Sequence, residues 1–351
     1  MLMKAGVVRG VNDIRYEDIE KPVPKKGEVL IKVKATGICG SDIPRVLNGA
    51  VHNFPIVLGH EFSGVIDELG EGVQGLTVGK RATAVPLVPC FECEDCQKGN
   101  FSLCKHYSFI GSRVNGAFAE YVCVPARNVV EFDDSVSFEL GAMFEPSTVA
   151  LHGVYLNDYR GGKDVAVLGY GTIGYFTAQW AKILGARSVT VFDISDERLA
   201  LAKESGADHC INTLKEGFQE EAMALTGGRG FSYIFETAGN EVTEKLSFAL
   251  ASNKAHICFI GTPTKSVTFT REQMELINRK EFILTGSWMS YSAPFPGEEW
   301  KMTAEYFGNG ILKLKDSLIY KQYPLKDIKQ AFAEYETPGK VKGKILIRSG
   351  D

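Results

Sequence analysis

The chain has 351 residues, 44% of them hydrophobic and 23% charged, with a net charge of −4. This length suits two domains better than one core. With charge nearly balanced, nothing points to nucleic acid or an anionic membrane as the main partner, and without any run of about 18 apolar residues no transmembrane helix is expected. Met1 to Gly10 carries a basic residue but no apolar signal core, so the expected location is cytoplasmic.

Valine-rich sequence follows the N-terminus almost at once. Gly27–Lys34 alternates apolar and polar residues, and Val65–Leu69, Arg81–Val85 and Ala119–Val124 are similar short runs between Gly and Pro. They predict a β-rich first domain over residues 1–148. Four of the eight cysteines, Cys90, Cys93, Cys96 and Cys104, fall within one lobe at about 89–105, whereas Cys39, Cys123, Cys210 and Cys258 are scattered. Residues 139–156 suit a helix that bridges two domains. From 149 to 287, strands and helices alternate. The strand candidates are Val165–Leu168, Val189–Asp193, His209–Asn212, Tyr233–Thr237, His256–Ile260 and Ile283–Ser287. Helical spacing covers Thr172–Leu184, Asp196–Glu204, Glu220–Leu225, Glu241–Leu250 and Arg271–Asn278. Such alternation implies a doubly wound parallel sheet of the Rossmann type, so the fold class is α/β. Ser292–Trp300 is a Pro-rich loop and Lys344–Arg348 a closing strand. Residues 288–351 are expected to return to the first domain.

The first Rossmann strand runs into Gly169-Tyr170-Gly171-Thr172-Ile173-Gly174 and then a helix. In that context G-x-G-x-x-G marks a dinucleotide site. Gly169 and Gly171 allow a tight turn and close approach to a pyrophosphate, and Gly174 lets helix and strand pack. The amides of Thr172 and Ile173 open the helix, whose N-terminus favours phosphate. Asp193 ends the next strand, about 20 residues on, where a carboxylate accepts ribose hydroxyls and repels a 2′-phosphate. The cofactor expected is therefore NAD. Arg198 either flanks the adenine or is a solvated helix residue.

Four thiolates with short spacings suit tetrahedral zinc in a closed shell, which is a structural site. A disulfide pair or an iron–sulfur cluster is the alternative. Cys39, His60 and Glu145 are more dispersed, and each alone is ambiguous. A lone cysteine is most often a small buried hydrophobe.

Gly59-His60-Glu61-x2-Gly64-x5-Gly70 matches, without a departure, the zinc signature of the medium-chain alcohol dehydrogenases. The Cys39-Gly40-Ser41-Asp42 stretch, the four-cysteine lobe and the glycine-rich turn follow in that family's order. The chain resembles this zinc-dependent family over essentially its whole length. The resemblance implies a GroES-like catalytic domain, a Rossmann domain, and a C-terminal tail that completes the first. It implies two zinc ions per chain, one structural and one catalytic. Cys39 and His60 are then catalytic-zinc ligands, and Glu145 takes the place of the cysteine that many relatives use. Glu61 binds the ion directly or sits beside its ligands. Zinc with three protein ligands keeps a position open for substrate and acts as a Lewis acid. Ser41 matches the family's proton-relay hydroxyl; its alternative role is a turn hydroxyl. Many relatives carry a histidine five residues after the zinc cysteine, but this chain has Pro44. His52 is nearby in sequence.

The stretches Ser41–Arg45, Phe109–Arg113 and Gly286–Trp300 resemble most closely the branch of the family that oxidises galactitol 1-phosphate to tagatose 6-phosphate. That resemblance implies a small polyol phosphate as substrate. Arg45 and Arg113 are the candidates for its phosphate, because a guanidinium binds phosphate bidentately; surface salt bridges are their alternative. Trp288 and Tyr291 either wall the cleft or belong to the core. Sorbitol, butanediol and threonine dehydrogenases are the other candidates within the family. Outside it stand a zinc-free quinone reductase-like enzyme and a non-catalytic binding protein. The family resemblance further implies a homodimer or homotetramer, formed through the sheet edge near Ile283–Ser287.

Overall fold

The structure, a computed structural model, describes residues 1–350. They form two compact units: Met1–Glu145 together with the segment from Tyr291 onward, and Pro146–Ser290. No described helix is long and apolar enough to cross a membrane.

In the first unit the period-2 pattern of the sequence becomes antiparallel sheet. Its central strand, Glu28–Gly37, buries Val29, Leu30, Ile31, Val33 and Ala35 completely. Both faces are covered, so the strand is more apolar than simple alternation requires. It pairs antiparallel with Glu61–Leu69, Tyr121–Pro125 and the returning C-terminal strand Lys344–Arg348. The register sets Gly37 opposite Glu61 on one side and opposite Leu346 on the other. The loop holding Cys39 therefore leaves the sheet beside both Glu61 and the start of the last strand. A hairpin of Leu2–Gly10 and Asp13–Glu20, joined by Ile56–Val57, makes a separate three-stranded sheet.

Glycine spacing in the Gly59–Gly70 stretch has a packing cause. A Cβ on Gly64 would lie 2.1 Å from the Lys32 carbonyl oxygen, and one on Gly70 would lie 2.0 Å from that of Lys25. The Glu61–Leu69 strand reaches its register only because both positions lack side chains.

The second unit is a six-stranded parallel sheet. Its spatial order is His209–Asn212, Ser188–Asp193, Asp164–Leu168, Phe231–Glu236, Ala251–Phe259, Ile283–Gly286. Chain order is thus 3-2-1-4-5-6, the doubly wound arrangement with its reversal beside the first strand. Its core joins Ala166, Leu168, Phe192, Ile234 and Ile257 to helix residues such as Ala222 and Leu246.

Two sequence expectations need correction. The helix expected over 139–156 is two, Phe138–Gly141 and Phe144–Leu156. Gly141 packs where a Cβ would meet Phe132 and Ser63 at 2.7 Å, and Pro146 in the first turn of the second helix is pre-set to start one, not to continue one. The Pro-rich loop also ends early. Gly297 closes it, and Glu298–Gly308 is a helix with two acids in its first turn.

The Gly64 contact yields the first test. Gly64→Ala must push two core strands apart, at a cost of about 1–3 kcal/mol. Urea unfolding followed by circular dichroism should show a lower midpoint with an unchanged slope.

Candidate active site

Cys39, His60 and Glu61 each offer a ligand atom, and these atoms lie within 4.8 Å of one another. His60 and Glu61 are buried, and Cys39 is partly so. Asp42, fully buried, organises the group. Its Oδ2 accepts the Cys39 amide at 3.2 Å, and its Oδ1 lies 3.6 Å from His60 Nδ1. At that distance the pair is an electrostatic contact and not a hydrogen bond, with the carboxylate facing the Nδ1 side of the ring. The edge of Phe109 packs on the same ring, with centroids 5.5 Å apart.

Lys344 closes the group from behind. Its Nζ donates to both Glu61 oxygens, at 2.6 and 2.9 Å, and to the Ile38 carbonyl at 3.1 Å. Burial works to discharge this amine, but Glu61 and the Cys39 sulfur outweigh it and its pKa is raised. Burial, reinforced by Glu61, also pushes the Cys39 thiol up. Glu145, in the first turn of the Phe144–Leu156 helix, is buried and stands outside the 4.8 Å set. Burial pushes its carboxyl up to about 7, against the pull of His60. Three carboxylates and a thiol thus crowd a buried space in which Lys344 and Arg45 are the fixed cations. Such a space favours a divalent ion.

Ser41 is exposed at the head of the short Asp42–Leu47 helix. Arg45 donates through Nη1 to Ser41 Oγ at 2.9 Å and to Asp42 Oδ1 at 3.2 Å. Arg113 is exposed and stacks on Tyr107, its guanidinium 4.3 Å from the ring centroid. Its amide bonds to the Phe109 carbonyl, which places Arg113 one turn beyond the ring that touches His60. Tyr291 is core, stacked on the buried Trp300, whereas Trp288 is half exposed. His52 is exposed.

Cys90, Cys93, Cys96 and Cys104 form a second set of ligand atoms within 4.8 Å. Their sulfurs lie 3.5 Å (Cys104–Cys90), 3.8 Å (Cys93–Cys104) and 4.0 Å (Cys90–Cys96) apart. Tetrahedral zinc with bonds of about 2.3 Å needs edges of roughly 3.8 Å, and a disulfide needs about 2.05 Å. All eight cysteines are unbridged. Amide donation from Cys96 pulls the Cys93 thiol down to about 6, while burial pushes Cys96 up to about 12.

In the second unit, a cavity of about 350 Å³ opens at the carboxyl end of the parallel sheet, lined by Gly169, Gly171, Asp193, Arg198, Thr237 and Asn240 among others. Thr172, Ile173 and Gly174 form the first turn of the helix that opens there, with Gly171 as a cap that has no side chain to satisfy its amides. A Cβ on Gly174 would lie 2.0 Å from the Gly169 carbonyl oxygen. Asp193 accepts the Tyr170 amide at 2.7 Å and the Ser195 amide at 2.9 Å, one on each oxygen, with Arg198 at 3.7 Å. Each oxygen keeps a lone pair for a hydroxyl.

Sequence reading missed Lys344 and left Asp42 without a role. Lys344 gives no local signal beyond a lysine at the head of an apolar strand, and its partner Glu61 is 283 positions away. Asp42 was visible as the residue after Ser41, but its link to His60 depends on the strand register.

Two tests follow from this geometry. Lys344→Met leaves Glu61 buried opposite no charge and should lower unfolding free energy by about 3–5 kcal/mol, measured by denaturant titration. Burial holds the Cys39 thiol protonated and raises the Glu145 carboxyl to about 7, so a cation held at Cys39 would displace its proton and would be favoured once Glu145 is charged. Apparent zinc affinity should therefore tighten as pH rises through about 7, as read by competition with a chelating dye; affinity flat in pH would contradict this protonation.

Residues 25–134 match the alcohol dehydrogenase GroES-like domain, and residues 172–305 match the zinc-binding dehydrogenase domain. The chain is 40% identical over 328 residues to galactitol 1-phosphate 5-dehydrogenase of Escherichia coli K12, covering 93% of this chain and 94% of that protein. It is 32% identical over 334 residues to sorbitol dehydrogenase of Bacillus subtilis, covering 94% and 92%. The crystal structure of galactitol-1-phosphate dehydrogenase from Escherichia coli superposes with a TM-score of 0.93 at 38% identity, over 99% of this chain and all of that one. On these matches, and with a GroES-like unit and a doubly wound nucleotide unit in place, the chain belongs to the zinc-dependent medium-chain alcohol dehydrogenase family.

Proposed function

We propose that the protein oxidises a secondary hydroxyl of a polyol phosphate with NAD, taking galactitol 1-phosphate to tagatose 6-phosphate. The observation that carries this reading is the Cys39–His60–Glu61 group, backed by Asp42 and Lys344, in a chain 40% identical to a galactitol 1-phosphate 5-dehydrogenase. Two zinc ions per chain fit the two ligand sets, a catalytic one at Cys39, His60 and the neighbouring acids and a structural one at the four cysteines. When bound, the first supplies a Lewis acid that acidifies the substrate hydroxyl, and NAD supplies the hydride acceptor.

The chain's own residues do the rest. Asp42 sets a buried negative charge beside the His60 ring, and Lys344 restrains Glu61. Ser41 receives the hydroxyl proton. Arg45 donates to Ser41 Oγ, so the serine hydrogen points away from the arginine and is available to pass on. Pro44 has no group to carry that proton further, and it leaves through water. Arg45, braced by Ser41 and Asp42, and Arg113, held on Tyr107, present guanidinium groups suited to a phosphate. In the second unit the Gly169–Gly174 turn takes the pyrophosphate. Asp193 takes the adenosine ribose, and its charge disfavours the extra phosphate of NADP.

Self-association into a homodimer or homotetramer is supported by the edge strand Ile283–Gly286, which pairs on one side only and exposes Ile283 and Leu284. The cytoplasm is the compartment that fits four clustered unbridged cysteines.

A panel of galactitol 1-phosphate, galactitol, sorbitol, 2,3-butanediol and threonine, each with NAD and NADP, tests the reading. The phosphate ester with NAD should exceed every unphosphorylated substrate by about 100-fold or more in kcat/KM. Equal rates with galactitol and its phosphate would remove the phosphate site, and faster turnover with NADP would remove the role given to Asp193.

A further inference from the structure

We propose that Glu236 is a positioning residue for dinucleotide binding: its buried carboxylate holds the turn that forms one wall of the cofactor cavity. The inference rests on that cavity being the nucleotide site of the second unit.

Glu236 is the last residue of its strand and pairs with Leu168, the residue before the Gly169–Gly174 turn. Its side chain is 0% exposed. Oε1 accepts the amides of Ala238 and Gly239, both at 2.9 Å, and the Thr243 hydroxyl at 2.7 Å. Oε2 accepts the Gly239 amide at 3.1 Å. Burial pushes the carboxyl above its ordinary range, the nearby Glu244 adds to that, and the three donors pull it back. These partners all donate, so a carboxylate satisfies them and a neutral acid would waste its own hydrogen. A buried carboxylate is a costly way to close a turn, and this one closes a turn with a specific neighbour.

The neighbour is the cofactor cavity. Thr237, Ala238, Asn240 and Thr243, the residues that Glu236 ties together or that flank them, all line it. Thr237 Oγ1 donates to the carbonyls of Leu168 (3.1 Å) and Gly169 (2.9 Å). A Cβ on Gly169 would meet that of Ala238 at 2.8 Å. The wall and the glycine-rich turn are therefore packed as one piece, and Glu236 anchors it from below. Gly261 seals the anchor on the far side: a Cβ there would lie 2.7 Å from Glu236 Oε2 and 2.2 Å from the Gly239 amide nitrogen. Gly261 does not line the cavity, so it offers a handle on the turn that never touches the cofactor. A wall fixed before the ligand arrives spares the ordering cost of binding.

The test is fluorescence titration of the zinc-loaded protein with NADH, alongside steady-state kinetics, for the parent, E236A, E236Q and G261A. E236A and G261A should weaken NADH binding by about tenfold and raise KM for NAD, with kcat at saturating NAD held within about twofold. E236Q keeps an oxygen where Oε1 sits and should recover most of the affinity. A role in stability alone would lower the melting temperature of all three without moving KM apart from kcat. Parent-like NADH affinity in both E236A and G261A would overturn the proposal, as would a loss confined to kcat. If E236A does not fold, G261A and E236Q decide between these outcomes. A parent that binds neither NADH nor NADPH would sink the functional reading itself, and this inference with it; a parent that binds while the variants match it sinks only the inference.

Discussion

The Glu61–Lys344 ion pair fixes the geometry on which the rest of the first unit depends. Cys39, Asp42, His60, Glu61 and Glu145 bring one thiol, one imidazole and three carboxylates into a region largely closed to water. Charges of one sign at that depth repel strongly, because the screening of bulk water is gone. Lys344 answers Glu61 and Arg45 answers Asp42, while burial keeps the Cys39 thiol and the Glu145 carboxyl protonated. The surplus of negative charge that suits a divalent ion therefore develops as those protons are displaced, which couples cation binding to proton release. A buried ion pair is seldom worth much as net stability. Its use here is positional, because it ties the last strand of the chain to the strand that starts at Glu61, directly after His60.

That tie explains why the C-terminal segment belongs to the first unit. Lys344–Arg348 pairs with Glu28–Gly37, the same strand whose end leads to Cys39. Had the tail stopped short, the central sheet would expose the edge of its most apolar strand, and Glu61 would lose its counter-charge. Packing and electrostatics thus select the same register. A slip of one residue would turn Leu346 out of the core and Lys344 away from Glu61 together.

What the sequence made legible follows from locality. The glycine-rich turn, Asp193 and the four cysteines carry their chemistry within short spacings, and the structure assembles each group from neighbours in the chain. The second unit was also readable as a pattern, since buried parallel strands are near-continuous apolar runs between helices; His209–Asn212 and Glu241–Leu250 have the same bounds in sequence and structure. Features set by distant contacts were not readable. Lys344 looks like any lysine until the register puts it against Glu61. Glu236 looks like the polar end of a strand until Gly239 is seen to donate its amide and Gly261 to leave room for the carboxylate. The break after Gly141 has no local signal, and the need for glycine there shows only in the packing of Phe132 and Ser63 against it.

The second unit uses the same device as the first, with the sign of the problem reversed. Asp193 and Glu236 end the two strands that flank Asp164–Leu168, so a carboxylate stands on each side of the turn proposed to receive an anionic pyrophosphate. Both are quenched by backbone amides, Asp193 by Tyr170 and Ser195, Glu236 by Ala238 and Gly239. Amide dipoles turned toward these carboxylates lock the backbone around the cavity. The two acids then differ in what remains open. Asp193 lines the cavity and keeps lone pairs for hydroxyls, whereas Glu236 is sealed behind Gly261 and meets only its own chain. One carboxylate can select the ligand while the other shapes the wall, and this division of labour follows from which strand end has a glycine pressed against it.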